Sequence, residues 1–188
     1  MRRDFIGSLF LILNNAVMKF SVIDNRSSKL FFLYTSVEWF LPSIILFRFN
    51  SFFYNTFFIE MFGTDNFTKG KKKNFITYIY IFYMYFYNIK FFFSFSTYYF
   101  QKISSISMFF QNAQWPERET AEMVGTFFYN KIDNRKLLLD YSFIGFPLLK
   151  IYPSVGFSEL IYSFLSSWII TIPLQFSNYI VIDNHYSV

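Results

Sequence analysis

Residues 75–100 read "FITYIYIFYMYFYNIKFFFSFSTYYF", and their side chains alternate with a period of two. Tyr83, Tyr85 and Tyr87 interleave with Phe82, Met84 and Phe86, and Phe91, Phe93 and Phe95 with Phe92, Ser94 and Ser96. That period separates two faces in a strand and smears them around a helix. Asn88 and Lys90 interrupt the run, so the spacing predicts a hairpin, 75–87 paired with 91–100, turning near Asn88. A hairpin alone is marginally stable in water. The flanking chain must therefore supply cover: a short strand over 30–35, an apolar helix from the N-cap residue Ser36 to about Asn50 with Pro42 inside it, and a strand over 56–62. The expected fold is α+β, with about four strands in a mixed or antiparallel sheet, backed by helices and followed by an extended C-terminal arm.

Composition qualifies the aromatic signal. The chain has 188 residues, 31 Phe and 15 Tyr among them, with 54% hydrophobic residues. Phe, Tyr, Ile, Asn and Lys share codons rich in A and T, so drift of the organellar kind would place Phe wherever a core tolerates it. A Phe stripe therefore marks a buried face better than a ligand site. Cys is absent and His185 is the only His, which leaves no thiolate metal site, iron–sulfur ligation or cysteine nucleophile on this chain. Residues 1–110 hold 12 Lys and Arg against 5 Asp and Glu, net +7, and residues 111–188 hold 5 against 7, net −2. The basic half suits RNA, anionic lipid or an acidic protein surface equally well.

Three stretches raise the question of a membrane, and 75–100 is already answered by its two-residue period. Residues 5–18 are uncharged but number only 14, short of the roughly 20 that a spanning helix needs. Asp4, Ser8, Asn15 and Lys19 fall near one helical face, so 4–19 reads as an amphipathic helix, followed by the polar joint "DNRSS". Residues 160–182 are uncharged too, but seven Ser, Thr, Gln and Asn residues and Pro173 break the run, which fits short strands. The lysines of "NFTKGKKKN" read as a solvated turn or an electrostatic contact.

The grammar changes at "NAQWPERETAEMVG", residues 112–125. Pro116 suits the start of a helix, Glu117 and Glu119 sit in its first turn where the dipole favours acids, and Gly125 is a terminator. Arg118 and Glu122 are four apart and able to pair. Beyond, Gly145, Pro147, Pro153 and Gly156 punctuate short extended pieces, so 115–188 reads as a motif helix and an arm laid over something else. The divisions expected are 1–29, an added N-terminal helix and joint; 30–114, the α+β domain; and 115–188, the motif helix and arm.

"QWPERETAEMVGTFF", "DNRKLLLDYSFIGFPLLKIYP" and "GFSELIY" together resemble the signature of the thirty-kilodalton subunit of respiratory complex I, the NADH:ubiquinone oxidoreductase. That family's pattern runs W-x-E-R-E, x-x-D-M-x-G, then D-L-R-R-I-L-x-D-Y-G-F-x-G-H-P-L-R-K-D-F-P. It is matched here at Trp115, Glu117, Arg118, Glu119, Met123, Gly125, Asp133, Arg135, Asp140, Tyr141, Phe143, Gly145, Pro147, Leu148, Lys150 and Pro153, with Glu159 and Tyr162 following. "FFIEMFGTDN" resembles a family strand upstream. The likeness covers roughly 30–180 and is strongest over 112–162. Glu122 stands for the family Asp, Lys131-Ile132 for His-Pro, Lys136 for the second Arg and Phe146 for the His of G-H-P. Leu149 and Ile151 replace charged residues.

The resemblance implies a non-redox structural and assembly subunit of the quinone module, in the matrix arm at the mitochondrial inner membrane. It implies a chain packed on the large quinone-module subunit and neighbouring iron–sulfur subunits, with flavin, clusters and ubiquinone on those partners and none here. No nucleic acid enters that reading; an organelle-encoded ribosomal or RNA-binding protein is the alternative that the basic half would suit. The interface residues implied are Trp115, Glu117, Arg118, Glu119, Glu122, Gly125, Arg135, Asp140, Tyr141, Gly145, Pro147, Lys150, Pro153 and Glu159. Arg118 is expected to bridge its helix to Asp140 or to a partner's acid, and the 4–19 helix to dock on a neighbouring subunit or near the membrane surface.

Overall fold

The computed structural model describes residues 17–24, 29–53, 55–67 and 75–174. The predicted hairpin is its centre. Strands β4 (Phe75–Met84) and β5 (Ile89–Tyr98) pair antiparallel from Phe75 opposite Tyr98 to Met84 opposite Ile89. One face of each is buried at every second residue. The strand ends at Met84, so Tyr85, Phe86 and Tyr87 belong to the turn, where Asn88 takes a left-handed φ of 52° that Asn tolerates.

Three further strands complete a five-stranded mixed sheet in the order β1-β2-β5-β4-β3. β1 (Val17–Asp24) and β2 (Lys29–Thr35) are antiparallel, β2 runs parallel to β5, and β3 (Thr56–Asp65) is antiparallel to β4. The sheet thus has one strand more than expected. β1 includes the last residues of the predicted 4–19 helix; residues 4–16 of that helix lie outside the described residues, as does most of the lysine loop. Met18, Phe20 and Val22 alternate with Lys19, Ser21 and Ile23, a strand period that competed with the helical one and is satisfied by pairing with β2. The first segment therefore contributes to the sheet instead of ending before it.

Helix α1 (Val37–Phe49) begins after Ser36 as expected, with Pro42 inside a continuous helix. Phe40, Ile44 and Phe47 recur at helical spacing and are buried against the sheet. The Phe47 ring stacks on Phe53 at 4.2 Å and meets Phe91 and Phe93 edge-on at 5.0 and 5.1 Å. Phe40 lies 4.5 Å from both Tyr80 and Phe95. Such tilted and edge-on contacts are the favoured aromatic geometries, so a Phe-rich core still packs specifically.

Helix α2 (Gln114–Val124) buries Glu117, Thr120 and Val124, a stripe at i, i+3 and i+7. It packs over β3, where a Cβ on Gly63 would sit 3.3 Å from the Thr120 methyl and 3.2 Å from the Tyr78 ring. β3 runs on through Gly63, Thr64 and Asp65, past the 56–62 expected from the sequence. α2 thus packs on the sheet of the α+β domain. A short parallel pair, β6 (Lys102–Ser104) with β7 (Phe127–Tyr129), closes the domain beside it. From Asn130 onward the chain is irregular until an antiparallel hairpin, β8 (Ser158–Ser163) and β9 (Trp168–Pro173). This is the extended arm. No helix among the described residues is long and apolar enough to cross a membrane.

Candidate functional site

The charged residues of the motif gather around α2, and each holds a different piece of chain. Pro116 is the third helical residue, inside the first turn, where its missing N–H costs no helical bond. This places Glu117 toward the core. Its relative exposure is 0%, yet its carboxylate is satisfied: Oε2 accepts from Ser105 Oγ at 2.6 Å and Oε1 from the Ile106 N–H at 2.8 Å. Burial raises the Glu117 pKa above the ordinary carboxylate range, against the two hydrogen bonds and the nearby Lys131 charge. Lys131 is shifted downward, first by its own burial, and its ammonium lies 5.3 Å from the Phe128 ring. Tyr80 is also held far above its usual value by burial and then by the Glu117 charge.

Glu122 faces the other way. Its two oxygens accept three successive backbone N–H groups, from Leu137 at 3.0 Å, Leu138 at 2.7 Å and Leu139 at 3.2 Å. An anion in such a backbone concavity is the arrangement that satisfies otherwise unpaired donors of an irregular segment. Arg118 works on the carbonyl side: Nε donates to the Arg135 carbonyl at 2.8 Å and Nη2 to that of Lys136 at 3.1 Å, with Asp133 Oδ2 3.5 Å from Nη1. Lys136 in turn donates to the carbonyls of Asp140 at 3.0 Å and Phe143 at 2.9 Å. Two side chains of α2 thereby hold the carbonyls of residues 135 and 136 and the amides of residues 137–139.

Within this chain the acid beside Arg118 is not the expected Asp140. Arg118 does not use Asp140, whose side chain is exposed; the acid it meets is Asp133. The expected pair with Glu122 gives way because that carboxylate is committed to three amides, whose desolvated N–H groups would be costly to leave unmade. Arg135 forms an exposed pair with Asp133 at 2.9 Å, and its hydrogen bonds hold the Asp133 carboxyl well below its usual range. Gly125 ends α2 with φ 78°, and a Cβ there would stand 2.8 Å from the Phe146 ring. Gly145, at φ 110°, is crowded by Tyr152 in the same way.

The remaining predicted residues do not join the hub. Trp115, Glu119, Tyr141 and Glu159 are exposed, and Pro147 and Pro153 are half-buried along the arm. Lys150 contributes through its backbone: its N–H donates to Asp65 Oδ2 at 2.9 Å. Asp65, Ser105, Lys131 and Asp133 were not singled out as site residues in the sequence. Ser105 and Asp65 act across 12 and 85 residues of chain, and no periodicity links such positions.

A family model described as "Respiratory-chain NADH dehydrogenase, 30 Kd subunit" matches residues 41–158, from α1 through the hub to the start of β8. The chain belongs to that thirty-kilodalton subunit family. Among its relatives, NADH-ubiquinone oxidoreductase subunit 9 of Acanthamoeba castellanii is 44% identical over 75 residues, 40% of this chain and 38% of that one. The Paramecium primaurelia protein of the same name is 44% identical over 68 residues, 36% and 32% of the two chains. The mitochondrial NADH dehydrogenase [ubiquinone] iron-sulfur protein 3 of Candida albicans is 41% identical over 73 residues, 39% of this chain and 26% of that one. The matches thus span well under half of those relatives.

Two solved structures share the fold. The trypsin-resistant fragment (1–134) of Nqo5 aligns with a TM-score of 0.50 at 15% identity, covering 71% of this chain and 99% of the fragment. A chain of the archaeal membrane-bound sulfane sulfur reductase, a respiratory membrane complex, aligns with a TM-score of 0.52 at 10% identity, covering 75% and 76%. At these identities the likeness is one of fold. Of the charged positions in the shared pattern, Arg118 and the Glu122 that stands for the family Asp build the joint between domain and arm in this chain.

Proposed function

We propose that this chain is a non-redox structural and assembly subunit of the quinone module in the matrix arm of a mitochondrial NADH:ubiquinone oxidoreductase. On this reading it lies on the matrix side of the inner membrane against the large quinone-module subunit and the iron–sulfur subunits, which carry the flavin, clusters and ubiquinone. Electron transfer depends on it through geometry. The family membership supports the complex, and the relatives' names support the compartment.

The observation that carries the structural role is the arm. Its hairpin exposes Phe164 at 90%, Leu165 at 102% and Trp168 at 74% relative exposure. Single exposed apolar residues are ordinary, but a contiguous set on a two-stranded ribbon marks a contact surface. The hub supplies the other half of the argument, because an interface needs its anchors held in place before docking.

The test is Leu165→Ser with Trp168→Ser, expressed as the only copy of the chain. The doubly substituted chain should fold with an unchanged midpoint, while native gels show loss of the assembled complex and of NADH:quinone activity. Normal complex levels would overturn the reading. Copurification belongs in the same experiment: recovery with ribosomes in place of respiratory subunits would favour the RNA-binding alternative.

A further inference from the structure

We infer that Asp65 is a positioning residue, whose carboxylate clamps the root of the C-terminal arm to the end of the sheet's edge strand and so sets where the arm departs. This rests on the reading of the arm as a docking element and adds the residue that orients it.

Asp65 is the last residue of β3, which lies at an edge of the sheet, and its exposure is 9%. Its carboxylate joins three parts of the molecule. Oδ1 accepts from the Tyr99 hydroxyl, just beyond β5, and from the Phe67 N–H at 2.9 Å; Oδ2 accepts from the Lys150 N–H at 2.9 Å. Burial, and then this bond to Asp65, raise the Tyr99 pKa, so the phenol stays a donor. The arm is seated just before this point. The Leu148 N–H donates to the Met123 carbonyl at 3.0 Å, Leu149 is buried, and Phe146 covers Gly125. Beyond Lys150 no described residue up to 174 is buried. Lys150 is therefore where the arm leaves the domain, and the Asp65 oxygen is what its amide meets there.

The chemistry requires a carboxylate. Three donors converge on two oxygens, and Asn offers one acceptor oxygen and an amino group that would face a donor. Asp65→Asn keeps the shape and must lose part of the clamp. In the full chain, followed by hydrogen exchange, the Lys150 and Leu148 amides should exchange at least about tenfold faster in this variant. The Tyr80 and Phe93 amides should keep their protection. Tyr99→Phe removes one donor and leaves Oδ2 alone, so Lys150 should stay within about twofold of the unsubstituted chain. The assembled complex on native gels should fall with Asp65→Asn and hold with Tyr99→Phe.

Unchanged Lys150 exchange in Asp65→Asn overturns the clamp. Faster exchange with normal assembly overturns the positioning role, and leaves the docking reading to the hairpin variants, which fail independently of Asp65. Should Asp65→Asn lose the core amides as well, Lys150→Pro deletes the arm's donor and spares the other two bonds. Protection of Leu148 must then fall, or the clamp is rejected.

Discussion

Residues 17–129 and residues 130–174 draw on the same Phe- and Tyr-rich alphabet and use it in opposite ways. In the first region alternate strand residues, α1 and α2 close a core that includes Phe47, Tyr80, Phe91 and Phe93. In the second, Leu149 is the only buried residue among those described. The domain is held by apolar burial, at about 25 cal/mol for each Å² removed from water. The arm is held up to Lys150 by hydrogen bonds from Glu122, Arg118, Asp65 and the Met123 carbonyl, with Leu149 buried and Phe146 against the core, and no described residue beyond is buried. The contrast teaches that stability and, on the proposed function, assembly are written in separable places.

The largest expected effect tests the domain side. Phe47→Ala removes a ring packed on Phe53, Phe91 and Phe93, and a buried Phe→Ala change costs about 3–5 kcal/mol. Urea denaturation of the full chain should show a midpoint shifted by most of its stability. A loss under about 1 kcal/mol would mean the core relaxes around the cavity, and the contrast with the arm would weaken.

Next comes Glu117, a charge inside the apolar region. Glu117→Ala strands the Ile106 N–H, which costs about 1–3 kcal/mol when buried unpaired, and takes one partner from the Ser105 hydroxyl, which keeps Ser107. Glu117→Gln can keep both bonds, its oxygen accepting from Ile106 and its amino group donating to Ser105. The pH dependence has a definite sign. The folded pKa is raised, so the native state holds this proton more tightly than the unfolded chain. Its stabilising contribution is complete below the ordinary glutamate value of 4.5 and is lost as pH rises through the folded pKa. Glu117→Gln should flatten that decline; an identical pH profile in the two proteins would show that the buried carboxyl does not titrate there.

Legibility in the sequence follows the same division. The 75–98 hairpin, α1 after Ser36, β2 and the presence of short strands within 160–182 were readable, because period-two alternation and chain breakers are local signals. β1 carried its alternation in 17–24, but an uncharged run before it favoured a helix. The motif cluster was visible as an anomaly, whereas its partners were not. Nothing local tells that Glu122 will serve the amides of 137–139 in preference to Arg118 four residues away, or that Asp65 will reach Lys150. Such choices are made by which donors the tertiary fold desolvates.

At the joint between the regions, Gly125→Ala should cost about 1–3 kcal/mol, since a left-handed φ of 78° strains any L side chain. The Phe146 ring, 2.8 Å from the new Cβ, adds a clash that falls on the arm. Pairing Gly125→Ala with Phe146→Ala separates the two contributions: the clash disappears and the backbone strain remains. If the pair is as stable as Phe146→Ala alone, the strain is absorbed elsewhere and the joint is softer than it looks.

The smallest expected effect on the folded chain is at Arg118, and it divides the two regions most sharply. Its guanidinium reaches the carbonyls of Arg135 and Lys136 through two nitrogens in one plane, a geometry that an ammonium cannot reproduce. Arg118→Lys keeps the charge near Asp133 and loses at least one of those bonds, about 1 kcal/mol in the denaturation midpoint. Glu119→Ala, one residue along and exposed, should stay within about 0.5 kcal/mol and serves as the control. The consequence belongs to the arm: exchange at the amides of 137–139 should quicken while β4 and β5 remain protected. Complex assembly should drop more in Arg118→Lys than the midpoint alone would suggest, because the substitution loosens what α2 presents and leaves the core intact. Equal protection of 137–139 in the two proteins would show that Glu122 alone holds the segment, and would remove Arg118 from the joint.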